Sequence, residues 1–397
     1  MRDLRLFLPG QFEDAFIYMG KIVAVTVDQS IMVYDLEVIV SDLEDKIPEL
    51  APLATFMFSR NDWLATPQFK NLLKNQDIAG AFLRAFDRYS NQPIELEPQK
   101  IRGIPLSLDI KAEVILDILV YFGRLYLSAN NGFYHADVDW NSERPVTYGH
   151  FKKRHDARCI SATAKYGAVL SSCGDNGLFT ATDEFQWTRF HEVNGMEQTD
   201  RISIRAEWSK YDVVNYWTSS KPYLFRSKHQ KIKTGEARTR REDERTVLTE
   251  IENERIELDY LLASLFQKYA LTDEAIQYMY NSNNVFFIHT YDGHFYSLGL
   301  RHSDTGRPVP TFTRTYKGAS ARVLSSQPLK GSYVIETDKR VFLFSNSNWD
   351  LILDEPVVTV RTFVRSRHYQ NLIVAITESG LMLVSIFDDS DLVVSDS

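Results

Sequence analysis

RCISATAKYGAVLSSCGDNGLFTA, residues 158–181, decides how the rest of the chain is read. Apolar runs at 159–164 and 168–172 flank Lys165-Tyr166-Gly167, and a third run at 178–181 follows Gly174-Asp175-Asn176-Gly177. Short apolar runs joined by Gly, Asn and Asp form antiparallel hairpins, because those residues accept the left-handed backbone of a tight turn. The second hairpin of this stretch recurs along the chain. Its copies are VTVDQSIMVY (25–34), SANNGFYHA (128–136), SSCGDNGLFTA (171–181), YWTSSKPYLF (216–225), HTYDGHFYSL (289–298), IETDKRVFLF (335–344) and AITESGLMLV (375–384).

The residues that follow the seven turns are 31, 133, 178, 222, 294, 341 and 381, at intervals of 102, 45, 44, 72, 47 and 40. Propeller blades recur about every 40–45 residues. Four intervals are therefore one blade each, and the other two are a blade plus an insertion. A candidate first strand precedes every hairpin. The expected fold is all-β, a single seven-bladed β-propeller over residues 1–397 with two helical insertions, 40–109 between blades one and two and 233–272 between blades four and five. Outer strands carry the weakest signal, since one of their faces is solvated. Residues 187–193 suit that role in blade three, and 229–232 are a poor candidate in blade four.

The strand-like residues 4–8 precede blade one without a hairpin of their own. They are expected to complete blade seven, which would pair the chain ends and remove an open sheet edge; residues 392–394 are the alternative. In the first insertion Thr66-Pro67 reads as a helix start. Phe69, Leu72, Leu73, Ala79, Phe82, Leu83 and Phe86 then recur at helical spacing, so that face packs on something. The second insertion begins with the charged GEARTRREDER and continues with Val247, Leu248, Ile251, Leu258, Leu261, Leu262, Leu265, Phe266 and Tyr269. This pattern predicts one long helix whose charged half projects outward.

The chain has 397 residues, 44% hydrophobic and 25% charged, with a formal charge of −8. That balance argues against a surface that coats polyanions, while leaving local basic patches. No apolar run reaches the ~18 residues of a membrane helix, and the N-terminal residues carry acids where a secretory signal would be apolar. The expected compartment is the cytoplasm. Cys159 and Cys173 are too few for a disulfide framework or a cysteine zinc site. If 165–167 is the turn, they face each other across a hairpin at a distance a disulfide could bridge; in the cytoplasm they are expected to be buried and reduced.

The nine histidines are scattered, without the spacing of a zinc-binding helix. Ser171-Ser172-Cys173-Gly174 approaches a hairpin, unlike a nucleophile elbow, and Gly174-Asp175-Asn176-Gly177 lacks the Lys and helix of a phosphate-binding loop. Neither a metal nor an organic cofactor is expected. Three basic clusters remain as contact candidates. Lys152, Lys153, Arg154 and Arg158 read as a loop between blades two and three. Residues 226–245 hold eight Lys/Arg against four Asp/Glu, among them Arg238, Arg240, Arg241 and Arg245. The third is Arg361, Arg365, Arg367 and His368. Such concentrations can meet phosphates or acidic protein surfaces.

With seven blade-length units the chain resembles the WD-repeat type of β-propeller, and the resemblance covers nearly everything outside the insertions. It is one of architecture. Gly149-His150, Gly293-His294 and Trp349-Asp350 occur away from the family's usual blade positions, and Asp35 after Tyr34 is the nearest approach to the terminal aspartate. The resemblance implies a rigid platform for protein partners in a cytoplasmic complex, without catalysis, membrane contact or cofactor. The alternatives are a subunit that touches nucleic acid through the basic clusters and an enzyme with a site at the channel mouth.

Overall fold

A computed structural model describes residues 2–387 except 60–62, 65, 91, 108–112, 142–145, 183–195, 200–201, 211, 234–243, 258–261, 264–266, 303–307, 319–320 and 367. Among the described residues the strands form seven sheets, one per expected blade, and the chain is a seven-bladed β-propeller. Blade one pairs Phe12–Tyr18, Lys21–Thr26 and Ile31–Asp35 with the outer strand Ile104–Leu106; blade two runs through Ile115–Tyr121, Arg124–Ala129, Gly132–Asp139 and Val146–His155. Blade three holds Ser161–Lys165, Ala168–Ser172, Leu178–Thr182 and Met196–Thr199. Arg205–Trp208, Asp212–Tyr216, Pro222–Lys233 and Glu244–Glu257 make blade four. Blade five is Ile276–Ser282, Val285–Thr290, His294–His302 and Pro308–Lys317, and blade six is Val323–Leu329, Ser332–Thr337, Val341–Ser345 and Asn348–Leu353. Blade seven comprises Thr359–Thr362, Leu372–Ile376 and Gly380–Phe387, followed by Arg2–Pro9 and Pro93–Glu95. All seven hairpins read from sequence join the second and third strands of a blade. By contact density the chain divides into two units, Met1–Leu108 with Val138–Tyr148 and Leu324–Ser397, and Asp109–Asp137 with Gly149–Val323.

The second strands are deeply buried. Every residue of Ala168–Ser172, Asp212–Tyr216 and Leu372–Ile376 is buried, as a strand covered on both faces requires. First and second strands are joined by tight turns with φ positive at both central residues, as at Met19-Gly20, Phe122-Gly123 and Tyr166-Gly167. This geometry matches the right-handed twist of the flanking strands. It also shortens the turn expected at 165–167. Lys165 pairs with Ala168, so the loop is two residues long and the ladder is offset by one from the expected register.

Neighbouring blades are linked by polar side chains of their first strands. Asp117 Oδ2 of blade two accepts from Ala162 N (2.6 Å), and Glu207 Oε2 of blade four accepts from Asn281 N (2.5 Å). Gln277 Oε1 accepts from Val323 N (3.2 Å), and Gln327 Oε1 accepts from Thr362 N (3.0 Å). Arg361 of blade seven grips Asp14 of blade one with two nitrogens, Nε donating to Oδ1 at 2.6 Å. Packing between blades is apolar and tolerant of sliding; directional bonds fix the register.

The N-terminal strand closes blade seven as expected, pairing antiparallel from Arg2↔Phe387 to Pro9↔Gly380. Residues 392–394 and the expected outer strand 187–193 lie outside the described residues. The long helix expected over 233–272 is not what forms. Glu244–Glu257 is the outer strand of blade four and pairs along Pro222–Lys233, whose end takes up the candidate 229–232; helical turns occur at 262–263 and 267–269. Register shifts between Phe225 and Ser227 and between Lys228 and His229 explain the misreading. They break the two-residue alternation, so buried Val247, Leu248 and Ile251 fall at helix-like spacing on a strand.

Candidate partner-binding site

The first insertion is helical and starts earlier than residue 40. The Asp35 carboxylate accepts from Glu37 N (2.9 Å) and starts helix α1, Leu36–Lys46, whose Leu36, Ile39, Val40 and Leu43 are buried. Helix α2, Ala51–Ala54, leads into a wider turn at Thr55–Ser59. Thr66 caps α3, Pro67–Leu72, as its sequence predicts, its hydroxyl accepting from Phe69 N (3.2 Å). Asn75 then caps a separate helix α4, Gln76–Tyr89, through bonds from Asp77 N and Ile78 N. The apolar recurrence from Phe69 to Phe86 thus spans two helices broken at residues 73–75. The face it predicts does pack: Phe86 is fully buried and stacks on Phe387 of blade seven, ring centres 5.3 Å apart.

Between these helices lies an apolar cleft of about 390 Å3 lined by Leu53, Phe56, Leu72, Ile78, Ala81 and Phe82. Its charged lining residues are Glu49 and Asp77. Phe56 contacts Phe69 edge-on (4.9 Å), and Trp63 lies beside Phe56 at 6.1 Å. Trp63 is 50% exposed and Leu72 41%. Glu49 is held by Arg88 Nη1 (2.7 Å) and by the Tyr89 hydroxyl (3.2 Å). A half-exposed Trp beside an apolar, aromatic-floored cleft is the arrangement in which a few large side chains carry an interface. Sequence periodicity found Phe69, Leu72 and Phe82 but read them only as a packing face. Phe56 and Trp63 gave no periodic signal, because they sit in irregular turns.

The basic candidates are placed on two blades. Arg238, Arg240 and Arg241 lie outside the described residues. Arg245 is in the outer strand of blade four, opposite Ile232. Lys152, Lys153 and Arg154 belong to the outer strand of blade two and not to a loop. Lys152 is exposed. Lys153 Nζ is 2.5 Å from the Asp156 carboxylate and lies over the Tyr134 ring. Arg154 Nε donates to His135 Nδ1 (3.0 Å), so its guanidinium is engaged within the blade. In the third cluster Arg361 is committed to Asp14, and Arg367 lies outside the described residues.

A second polar centre joins blades two and three. Cys159 Sγ is 3.2 Å from Ser128 Oγ, and Cys173 Sγ is 3.9 Å from His155 Nε2. His155 Nε2 also meets Ser171 Oγ (2.9 Å), and the ring is stacked between Phe133 and Phe179. Both cysteines are buried and free. The Cys173 thiol is lowered to about 6 by a hydrogen bond from Cys159 and, against the opposing effect of burial, by His155. Burial and the facing Cys173 push the Cys159 thiol well up. No cluster of three or more His, Cys, Asp or Glu that could hold a metal occurs among the described residues.

Neither a protein-family model nor a curated protein matches the chain. Among solved structures it is similar to the WD40 β-propeller domain of Doa1, at TM-score 0.49 and 10% identity over 98% of this chain and 97% of that one. The β-propeller domain of Myceliophteria thermophila Cps50 (Swd1) aligns at TM-score 0.47 and 9% identity, covering 95% and 97%. BBS1N, solved in complex with ARL6DN, aligns at 0.48 and 9%, covering 98% and 99%. These are distant likenesses, and the fold assignment rests on the seven sheets themselves.

Proposed function

We propose that the protein is a non-catalytic platform for protein partners within a cytoplasmic complex, and that its helical insertion is the principal docking element. The observation that carries this reading is the open cleft between Leu53, Phe56, Leu72 and Phe82, with Trp63 half exposed beside Phe56. Burying a large apolar side chain contributes roughly 1.5–3 kcal/mol, so a cleft that accepts two or three of them from a partner can dominate an interface. The rim carboxylate Asp77 favours a partner segment whose apolar residues are flanked by Lys or Arg, Glu49 being already paired with Arg88. The basic segment with Arg238, Arg240, Arg241 and Arg245, and Lys152 and Lys153 on blade two, serve as secondary electrostatic contacts.

The test is recovery of the tagged full chain from its own cells beside a Trp63→Ala, Leu72→Asp double variant. Both altered side chains are half exposed, so the melting temperature is expected to stay within a few degrees. Co-purifying proteins, identified by mass spectrometry, should fall at least about tenfold with the variant, the loss of a single interface anchor. Equal recovery of the same partners would overturn the insertion as docking element. A 260/280 nm absorbance ratio showing bound nucleic acid, lost on reversing the four arginines, would favour the nucleic-acid reading instead.

A further inference from the structure

Leu392, Val393 and Val394 form an apolar run that blade seven does not need. The N-terminal strand takes the place they could have filled, pairing with Gly380–Phe387 along its whole length. The run follows Asp388-Asp389-Ser390-Asp391, and all of 388–397 lies outside the described residues. The described chain reaches Phe387 against the helical insertion itself. The Phe387 ring stacks on Phe86 of α4, and Arg2, its partner in the last rung of the ladder, is bonded through Nη1 to Asp87 of the same helix. Two residues earlier, Ser385 Oγ donates to Met57 O (2.6 Å).

Both contacts are one step from the apolar cleft of the insertion. Met57 adjoins the lining residue Phe56, and Phe86 is one helical turn from Phe82, about 6 Å along the axis, and two turns from Ile78, about 12 Å. The five residues from Phe387 to Leu392 span up to about 17 Å when extended, so the run can reach every part of the cleft. We propose that Leu392 and Val394 fill the cleft of their own chain, as a plug that a protein partner displaces. In an extended segment these two side chains share a face, which turns both toward Phe56 and Phe82. The plug rests on the reading of the cleft as the docking element and adds the regulation of that site.

Charge sets how firmly the plug is held. Asp388, Asp389 and Asp391 precede the apolar pair, while Asp77 lies in the cleft wall. These like charges oppose closure, and Glu49 is already paired with Arg88. The plug is therefore held by its apolar side chains and by its short tether, which keeps it near the cleft at an effective concentration on the order of millimolar. A partner segment with Lys or Arg beside its apolar residues meets Asp77 favourably and displaces it. Until then the plug covers an apolar surface that would otherwise recruit unrelated chains.

The experiment compares hydrogen exchange of the full chain with that of a Leu392→Asp, Val394→Asp variant, whose changes touch no described residue. Amides of 53–59 and 76–86 should exchange at least about twofold faster in the variant, because a plug of millimolar affinity on a millimolar tether is closed half of the time. Those of the hairpin 168–182 should not change. A synthetic peptide of residues 388–397 added to the variant should restore slow exchange, and the same peptide with both Asp replacements should not. Raising the salt concentration should slow exchange further in the native chain, since it screens Asp391 from Asp77. Equal exchange in the two full chains, or equal restoration by the two peptides, would overturn the plug. The two readings fail separately. Partners recovered through Trp63 and Leu72 alongside equal exchange would keep the docking element and remove the plug; closure with no recovered partner would keep the plug and remove the docking element.

Discussion

His135 and His289 are nearly inaccessible, at 3% and 2% exposure, and both are held far below the ordinary imidazole range, at about 3. Burial is the first cause in each, and at His135 the Arg154 guanidinium adds repulsion of a second positive charge. The unfolded chain therefore binds protons below about pH 6.5 that the folded chain refuses, and stability falls as the pH drops from there toward 3. At pH 5 each site should have lost about 2 kcal/mol relative to pH 8. Glu336 acts in the other direction, since burial raises its carboxyl and favours the neutral form. Its contribution is present at acid pH and fades as the pH climbs through its raised value. Chemical denaturation at pH 8, 6 and 5 should show the decline, and His289→Phe should flatten it; equal slopes in the two proteins would remove His289 as a cause. None of this was legible in the sequence, where the histidines looked merely scattered. Burial is a property of the assembled blade, and no local pattern announces it.

At the scale of the element, what could be read depended on whether one face of a strand kept its period. The hairpins between second and third strands kept it, from VTVDQSIMVY to AITESGLMLV, and all seven were found. The outer strand Glu244–Glu257 lost it at two register shifts and looked helical. Helix α1 was missed for a related reason. Its first residue follows directly on the third strand of blade one, so no turn separates the two patterns. The insertion also supplies two strands that no single-segment reading could place, Ile104–Leu106 on blade one and Pro93–Glu95 parallel to the N-terminal strand. Both are too short to pair without a preformed edge. Helix α4 stacks Phe86 on Phe387 of blade seven, and Phe86→Ala should cost about 3–5 kcal/mol at this site, the range for a fully enclosed aromatic ring. Hydrogen exchange should then show α4 losing protection while the hairpin Ala168–Thr182 keeps its own. Uniform loss across the chain would mean that the insertion and the blades unfold as one unit.

For the molecule as a whole, closure depends on a strand that comes from the opposite end of the chain. Arg2–Pro9 forms eight consecutive pairs with Gly380–Phe387, and Leu4, Leu6 and Leu8 are at most 2% exposed. Burying three leucines contributes roughly 5–9 kcal/mol, a large share of the ~5–15 kcal/mol that holds a domain folded. Removing the strand has two further effects. It strips Pro93–Glu95 of its only parallel neighbour among the described residues, and it opens the edge of Gly380–Phe387, whose residues are all buried. A bare, apolar strand edge of that length recruits other chains, so the truncated protein should aggregate as well as unfold. Deleting residues 1–9 is therefore expected to abolish a cooperative melting transition or lower it by roughly 6–11 °C, taking about 1.2 °C per kcal/mol for a chain of 397 residues. Deleting residues 388–397 leaves all eight pairs in place and should shift the midpoint by no more than about 2 °C. If the second deletion were the more damaging, the N-terminal strand would not be the one that holds blade seven closed. A peptide of residues 2–9 supplied in trans offers the positive control, because the open edge it would fill is defined residue by residue from Arg2↔Phe387 to Pro9↔Gly380. Partial recovery of the melting transition by that peptide, and none by a version with Leu4, Leu6 and Leu8 replaced by Ser, would tie closure to those three side chains.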